Sequence, residues 1–196
     1  MIVNRTEKIY IQEETAAEDA LNNLGPAVVG VKSEKKYSSG KNQILAQGTG
    51  LILTSDGLVA TALNLVPSSA NKISVLRDNE EWEAKLLKKD EADGLALLKI
   101  EKSNLPVVNL AEADNLKLGE KVLLSGVDFT ASNFARFADS GLIRRISPLL
   151  IQFSEIKSII GTPLINLKGE VLGINVLNKK GEMEIVLSDK IRELMK

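Results

Sequence analysis

Any chemistry in this chain must come from hydroxyl, carboxylate, amide and amino side chains, because its 196 residues include no histidine and no cysteine. Without histidine there is no imidazole to take up and return a proton near neutral pH. Without cysteine there are no thiol nucleophiles, disulfides or thiolate metal ligands. The densest acidic stretch, residues 78–83, lacks the glycine and the ligand spacing of a calcium loop. The sequence therefore predicts neither a metal site nor a cofactor.

The balance of charge and hydropathy excludes several classes of partner. The 25 basic and 26 acidic residues give a net charge of −1, which offers no electrostatic attraction to nucleic acid or to an anionic membrane. Apolar runs such as residues 143–153 are interrupted by arginine, serine and glutamine, so no membrane-spanning helix is predicted. The N-terminal residues 1–8 lack the apolar core of a signal peptide. The chain is therefore expected either to be cytoplasmic or to be a piece from which a targeting or anchoring segment is missing.

Short strands separated by turn signals dominate the sequence from residue 27 onward, which is typical of an all-β sandwich or barrel. A capping-box pattern at Thr15 predicts a short helix that ends at Gly25. The charged, serine- and glycine-bearing residues 32–42 predict an exposed loop. Two groups of about six strands fit a single domain, 1–196, with a first barrel over 26–108, a connector over 109–118, a second barrel over 119–188 and a C-terminal helix over 189–196.

Residues 157–175 carry the most informative pattern. They form the string KSIIGTPLINLKGEVLGIN, which is typical of a tight loop, a short strand, a Lys-Gly hairpin turn and a second strand. From Gly161 to Asn175 the string resembles the nucleophile loop of serine proteases of the HtrA/Deg type. That family pattern is G-N-S-G-G-P-L, followed by a hydrophobic hairpin that ends in G-I-N. The Gly-Asn-Ser part of the pattern falls on Ser158, Ile159 and Ile160.

Five further stretches resemble the same family in the same order, and together they extend the resemblance over nearly the whole chain from about residue 16. They are residues 47–53, 56–66, 93–100, 116–122 and 140–143. The resemblance implies two perpendicular six-stranded antiparallel β-barrels of the chymotrypsin/trypsin-like fold, with a short N-terminal helix and a C-terminal helix.

The resemblance places three substituted residues at the positions of the catalytic triad. The histidine position falls on Asn64, the aspartate position on Gly94 and the nucleophile position on Ile160. Acyl transfer by this fold needs a hydroxyl, an imidazole that removes its proton, and a carboxylate that orients the imidazole. Asn64 cannot take up a proton near neutral pH, Gly94 has no side chain and Ile160 has no attacking atom. The resemblance therefore implies a catalytically inactive homologue, a pseudoprotease.

Rearranged chemistry is the alternative for the same region. Ser158, beside Lys157, or Thr162 would then supply the hydroxyl of a serine-type hydrolase without histidine. Asp93 stands one position before the triad aspartate. A one-residue slip along a strand reverses the facing of a side chain, so Asp93 is predicted to point away from the cleft.

Two sets of apolar residues border the former active site in the resemblance. Leu63, Leu65, Ile159 and Ile160 either pack against one another and close the cleft, or line an apolar groove that holds a partner segment. Phe134 and Phe137 either form a docking patch or anchor their loop to the barrel.

The sequence and the resemblance together predict a protein-binding scaffold or regulator of HtrA-like type. Its partner is expected to be a protein or peptide that the sequence does not identify, and homo-oligomers are expected because family members often trimerise. The resemblance implies a location in the bacterial cell envelope, outside the cytoplasm. A purely structural subunit of an envelope assembly is a further alternative.

Overall fold

The computed structural model of this protein describes residues 13–112, 116–129, 135–146, 149–153 and 160–196. Strands dominate these ranges, with one short α-helix near each end of the chain. The elements are α1 (Glu13–Leu24), β1 (Val28–Lys36), β2 (Asn42–Ile52), β3 (Leu58–Ala62), β4 (Lys72–Arg77), β5 (Glu80–Asp90), β6 (Leu95–Ile100), β7 (Asn109–Leu110), β8 (Lys121–Asp128), β9 (Ala135–Arg145), β10 (Leu150–Phe153), β11 (Pro163–Ile165), β12 (Glu170–Leu177), β13 (Met183–Leu187) and α2 (Ser188–Met195). The prediction of an all-β protein with a helix near each end is confirmed.

The first six strands close into an antiparallel barrel in the order β1-β2-β3-β6-β5-β4. Short valine, leucine and alanine strands suit this arrangement, because branched side chains that alternate along a strand fill the interior of a small barrel. Val31, Ile52, Val59 and Leu98 share one face of the strands and are fully buried in that interior. The first predicted six-stranded barrel is therefore present.

The second half contains six antiparallel strands in the order β10-β9-β8-β11-β12-β13. In the described ranges they form one sheet, and the short strand β7 adds to it by pairing in parallel with β12. A second, smaller core lies here, formed by Ala111, Leu116, Val122, Leu124, Ile143, Leu164 and Leu172. Strand β7 lies in the segment that the sequence suggested as a bare connector.

Two side chains of helix α2 bond to the segment that links the two halves. The Ser188 hydroxyl donates to the carbonyl of Ala111 at 2.6 Å, and the Arg192 guanidinium donates to the carbonyl of Leu110 at 2.8 Å. These bonds hold the segment that links the halves against the helix. Within the described part of the chain, no helix is long and apolar enough to cross a membrane.

The exposed loop predicted over residues 32–42 was wrong at both ends. Strand β1 continues to Lys36 and β2 begins at Asn42. The misleading charges pair with one another on the barrel wall: Glu34 is buried, and its carboxylate lies 3.5 Å from Lys32 and 3.7 Å from Lys72. A strand can bury charged side chains that form ion pairs, whereas unpaired charged side chains favour solvent.

The same barrel wall makes stability depend on pH through Glu81. The hydrogen bond from Lys72, at 2.6 Å, is the main cause that lowers the pKa of Glu81 to about 2, and bonds from Ser74 and Lys32 add to it. Because the folded pKa lies below the ordinary glutamate value of 4.5, this stabilisation is complete above about pH 4.5 and is lost as pH falls towards 2.

We therefore expect Glu81→Gln to flatten the decline in the free energy of unfolding between pH 5 and pH 2, measured by urea titration at stepped pH. Glu83→Gln, at an exposed carboxylate on the same strand, serves as the matched control and should keep the wild-type slope. Equal slopes for the wild type and Glu81→Gln would contradict the assignment.

Candidate functional site

The positions of Asn64 and Gly94 are brought together by the pairing of β3 with β6. Ala62 lies opposite Leu95 in that pair, so the residues that follow β3 meet the residue that precedes β6. Asn64 occupies a single 3-10 turn, Leu63–Leu65, and the Leu63 N–H donates to the Gly94 carbonyl at 2.8 Å. Gly94 has a φ of +67°, a conformation that glycine adopts without strain.

Asn64 also reaches across to the second half of the molecule. The backbone N–H of Leu177, at the end of β12, donates to the Asn64 side-chain oxygen at 3.2 Å. A Cβ added to Gly94 would lie 3.7 Å from the carbonyl oxygen of the same Leu177. Two of the three triad positions named above therefore lie beside the end of β12.

A cleft of about 670 Å³ opens at this meeting point. Its apolar lining includes Leu63, Val176 and Val186, and Asn64 and Gly94 form part of its wall. Charged side chains at its edge come from both halves, Glu91 and Asp93 from the first and Lys179, Lys180 and Glu184 from the second. The cleft therefore offers an apolar floor with charges of both signs.

The prediction that the Asp93 side chain points away from the cleft stays a prediction. Asp93 lines the cleft, and its carboxylate lies 3.6 Å from the Lys190 ammonium. The alternation of side chains applies within a strand, but residues 91–94 form a turn before β6. The Asp93 N–H donates to the Asp90 carboxylate at 3.0 Å, which fixes that turn.

Glu91, which lines the cleft, and Lys190, which pairs with Asp93, are poor candidates for proton transfer near neutral pH. The hydrogen bond from Lys89 lowers the pKa of Glu91, and the Lys89 charge adds to this effect. The hydrogen bond to Glu193 and the charge of Asp93 raise the pKa of Lys190. Both shifts move the pKa away from neutrality, whereas an efficient acid or base titrates near the working pH. Within the described ranges, no group of three or more acidic side chains is placed to hold a metal ion.

The nucleophile position is packed against the first barrel. The Ile160 carbonyl accepts a hydrogen bond from the Thr49 N–H at 3.1 Å, and the half-buried Ile160 packs on the main core. Leu65 is 2% exposed and lies under the same segment, since a Cβ on Gly48 or Gly161 would meet its methyl groups within 3.1 Å. The Ser33 hydroxyl donates to the Leu65 carbonyl at 2.6 Å.

Some of the predicted site residues are therefore buried, whereas others line the open cleft. Leu65 is buried beside Ile160, whereas Leu63 is half-buried and lines the cleft. Ser158, Ile159 and Phe134 lie outside the described residues. Phe137 is half-buried against Gly126 on the neighbouring strand β8, where its ring would meet an added Cβ at 2.7 Å. Phe137 is not among the described residues that line the cleft.

Sequence reasoning missed Thr49, which forms hydrogen bonds to β3, to β8 and to Ile160. Its hydroxyl accepts a hydrogen bond from the Val127 N–H at 3.0 Å, and its carbonyl accepts one from the Thr61 hydroxyl at 2.7 Å. Thr49 is fully buried, so each bond replaces water that cannot reach it. The only sequence signal was its place in the Gly-Thr-Gly stretch of β2.

We expect Thr49→Val to lower the free energy of unfolding by about 1–3 kcal/mol, because the buried Val127 N–H would lose its acceptor. The matched control is Thr162→Val. Thr162 is also fully buried, but its hydroxyl has no hydrogen-bond partner in the described part of the structure. Removing it should change stability by less than about 0.5 kcal/mol or should stabilise the protein. Equal losses for the two variants in urea unfolding would contradict the role of Thr49.

Family comparison agrees with this architecture. Residues 48–174 match the family model of the trypsin-like peptidase domain, and the chain belongs to that family. The resemblance to HtrA/Deg-type proteases is confirmed by homology to HtrA and DegP serine proteases.

Two relatives illustrate that homology. Serine protease HTRA1A of Danio rerio is 31% identical over 192 residues, which cover 90% of this chain and 40% of that protein. A probable periplasmic serine endoprotease DegP-like of Pseudomonas putida is 37% identical over 138 residues, covering 65% of this chain and 28% of that protein. The chain spans about two fifths or less of the length of these two relatives.

Proposed function

We propose that this protein is a catalytically inactive HtrA-like homologue that binds protein segments without cutting them. The observation that carries the proposal is the role of Asn64 as a hydrogen-bond acceptor, in a chain that contains no histidine. At the position that the family resemblance assigns to the general base, an amide oxygen accepts a backbone hydrogen bond from Leu177. An amide can hold a strand end in place, but it cannot accept the proton of a nucleophile near neutral pH.

The other two triad positions fit the same proposal. At Gly94 the backbone serves as a hydrogen-bond acceptor for Leu63, and there is no carboxylate. At Ile160 an apolar side chain packs on the core where a hydroxyl would be needed. Hydrolysis of a peptide bond requires a nucleophile and a base held in contact, and these three residues supply neither.

The alternative is a serine-type hydrolase without histidine, and one of its two candidate nucleophiles is not accessible to a substrate. Thr162 is 0% exposed, so its hydroxyl cannot meet a substrate carbonyl without local opening of the fold. Ser158 lies outside the described residues, and its contribution is tested by substitution.

The cleft is the surface that we assign to binding. An apolar floor with charges of both signs at its edge suits a peptide segment, because apolar side chains supply affinity and polar groups fix the register. A location outside the cytoplasm belongs to the proposal and is supported by the Pseudomonas putida relative, a probable periplasmic endoprotease. Self-association, which the family resemblance implies, is tested by size-exclusion chromatography with light scattering.

Reduced, carboxymethylated casein is a suitable unfolded probe for this function. Fluorescence anisotropy of labelled casein should show saturable binding, and the recovered casein should keep its full length on a denaturing gel. A Leu63→Asp variant, which places a charge on a half-buried residue of the cleft, should bind more weakly by tenfold or more, with its fold checked by urea unfolding. Absence of saturable binding, or equal binding by folded Leu63→Asp, would contradict the assignment of the cleft.

A further inference from the structure

The end of β12 presents a short unpaired strand edge to the cleft. On one side, Val176 and Leu177 pair with Glu184 and Met183 of β13. On the other side, the ladder with β11 ends at Ile174, after which the Asn175 N–H donates to the Thr162 carbonyl at 3.0 Å. Beyond Asn175, no strand pairs with this side of β12 in the described part of the chain.

The Leu177 N–H on this edge is taken up by the Asn64 side chain. The bond is 3.2 Å long, at the upper end of the usual range for N–H···O bonds, and it is exposed to solvent. Asn64 itself is an exposed residue on a single turn, so its amide can rotate away without disturbing the buried core. A weak, solvated bond of this kind can be exchanged for another acceptor at small cost.

We propose that Asn64 is an intramolecular cap that competes with bound peptide for the strand edge of β12. The competitor would be a backbone carbonyl of an extended peptide segment lying in the cleft, which would accept the Leu177 N–H in place of the amide oxygen. Strand edges recognise extended chains in this way, through backbone groups that are independent of side-chain sequence. This inference rests on the proposed binding function and adds a built-in restraint on it.

The effect of the Asn64 cap on peptide affinity has a definite expected size. Exchanging one neutral hydrogen bond for another leaves little net gain, so removing the internal competitor should improve peptide affinity by about threefold to tenfold. The effect should appear with an unfolded chain of any sequence that fits the cleft, since the contested group is a backbone N–H.

Asn64→Ala removes the cap, and Asn64→Asp keeps an acceptor oxygen at the same point of the side chain. The first measurement is amide hydrogen exchange without any ligand. In Asn64→Ala, exchange at Leu177 should accelerate, whereas exchange at Asn175, whose N–H is bonded to Thr162, should stay as in the wild type. Asn64→Asp, whose carboxylate is a stronger acceptor, should protect Leu177 at least as well as the wild type and leave Asn175 unchanged.

The second measurement is the anisotropy titration with carboxymethylated casein. Asn64→Ala should bind about threefold to tenfold more tightly than the wild type, and Asn64→Asp, which keeps the cap, should bind no more tightly than the wild type. Unchanged exchange at Leu177 in Asn64→Ala would overturn the cap itself. Faster exchange with unchanged or weaker casein binding would overturn the competition while the binding function stands. Faster exchange with no binding by any of the three proteins would refute the binding function, and the competition with it.

Discussion

Replacing Gly161 by alanine is expected to lower the free energy of unfolding by more than about 3 kcal/mol, since backbone strain and a hard clash act together. Gly161 has a φ of +79°, and a Cβ at this position would lie 2.0 Å from the carbonyl oxygen of Thr49. Its N–H also donates to the Asn175 carbonyl at 2.8 Å, so the loop cannot move away without losing that bond. The whole contact between the loop at Ile160 and the first barrel depends on this close approach. Urea unfolding of the purified variant measures the effect.

Gly181 provides the matched control for that substitution. Its φ is +77°, nearly the same as that of Gly161, but an added Cβ would meet nothing within 4 Å. Gly181→Ala should therefore cost only the backbone strain, about 1–2 kcal/mol. If the two alanine variants lose the same stability, the close approach between Gly161 and Thr49 is not present in solution.

Shortening Leu65 to alanine is expected to lower the free energy of unfolding by about 2–5 kcal/mol. The side chain is 2% exposed and packs beneath Gly48 and Gly161, so its removal leaves a cavity at the junction of the two halves. The rigid glycine-bearing backbone around it can collapse only partly into that space, which places the loss towards the upper part of the range.

Leu63→Ala is the natural comparison, because Leu63 lies two residues away in the same turn but is only half-buried at the cleft. Its loss should be about 1 kcal/mol, since part of the side chain is already in contact with water. Binding of carboxymethylated casein should weaken in Leu63→Ala. Equal destabilisation by the two changes would show that the cleft beside Leu63 is closed in solution.

The fold could be read from the sequence where turn signals separate short apolar strands. The Asp56-Gly57 turn between β2 and β3 and the Asp78-Asn79 turn between β4 and β5 are of this kind, and both hairpins are present. The prediction failed where a strand carries charged side chains that form ion pairs, as at Glu34. Its partner Lys72 cannot be identified from sequence spacing alone.

The candidate site was predictable as a set of positions but not as a set of contacts. The family resemblance assigns Asn64 and Gly94, and the structure brings them together at the cleft. The hydrogen bond between Asn64 and Leu177 joins residues 113 positions apart, so it depends on how the two halves dock. Strand alternation could not place the Asp93 side chain, because residue 93 lies in a turn. The role of Thr49 needed the loop at Ile160 in three dimensions.

The most direct test of catalytic inactivity is mass spectrometry of carboxymethylated casein after prolonged incubation with an equimolar amount of the purified protein. A parallel sample treated with a fluorophosphonate probe reports any activated serine. The proposal predicts no casein peptides beyond those in a protein-free control and no labelling of the chain by the probe. New peptides that appear with the wild type and disappear with Ser158→Ala, together with labelling at Ser158, would show that the protein is a working hydrolase.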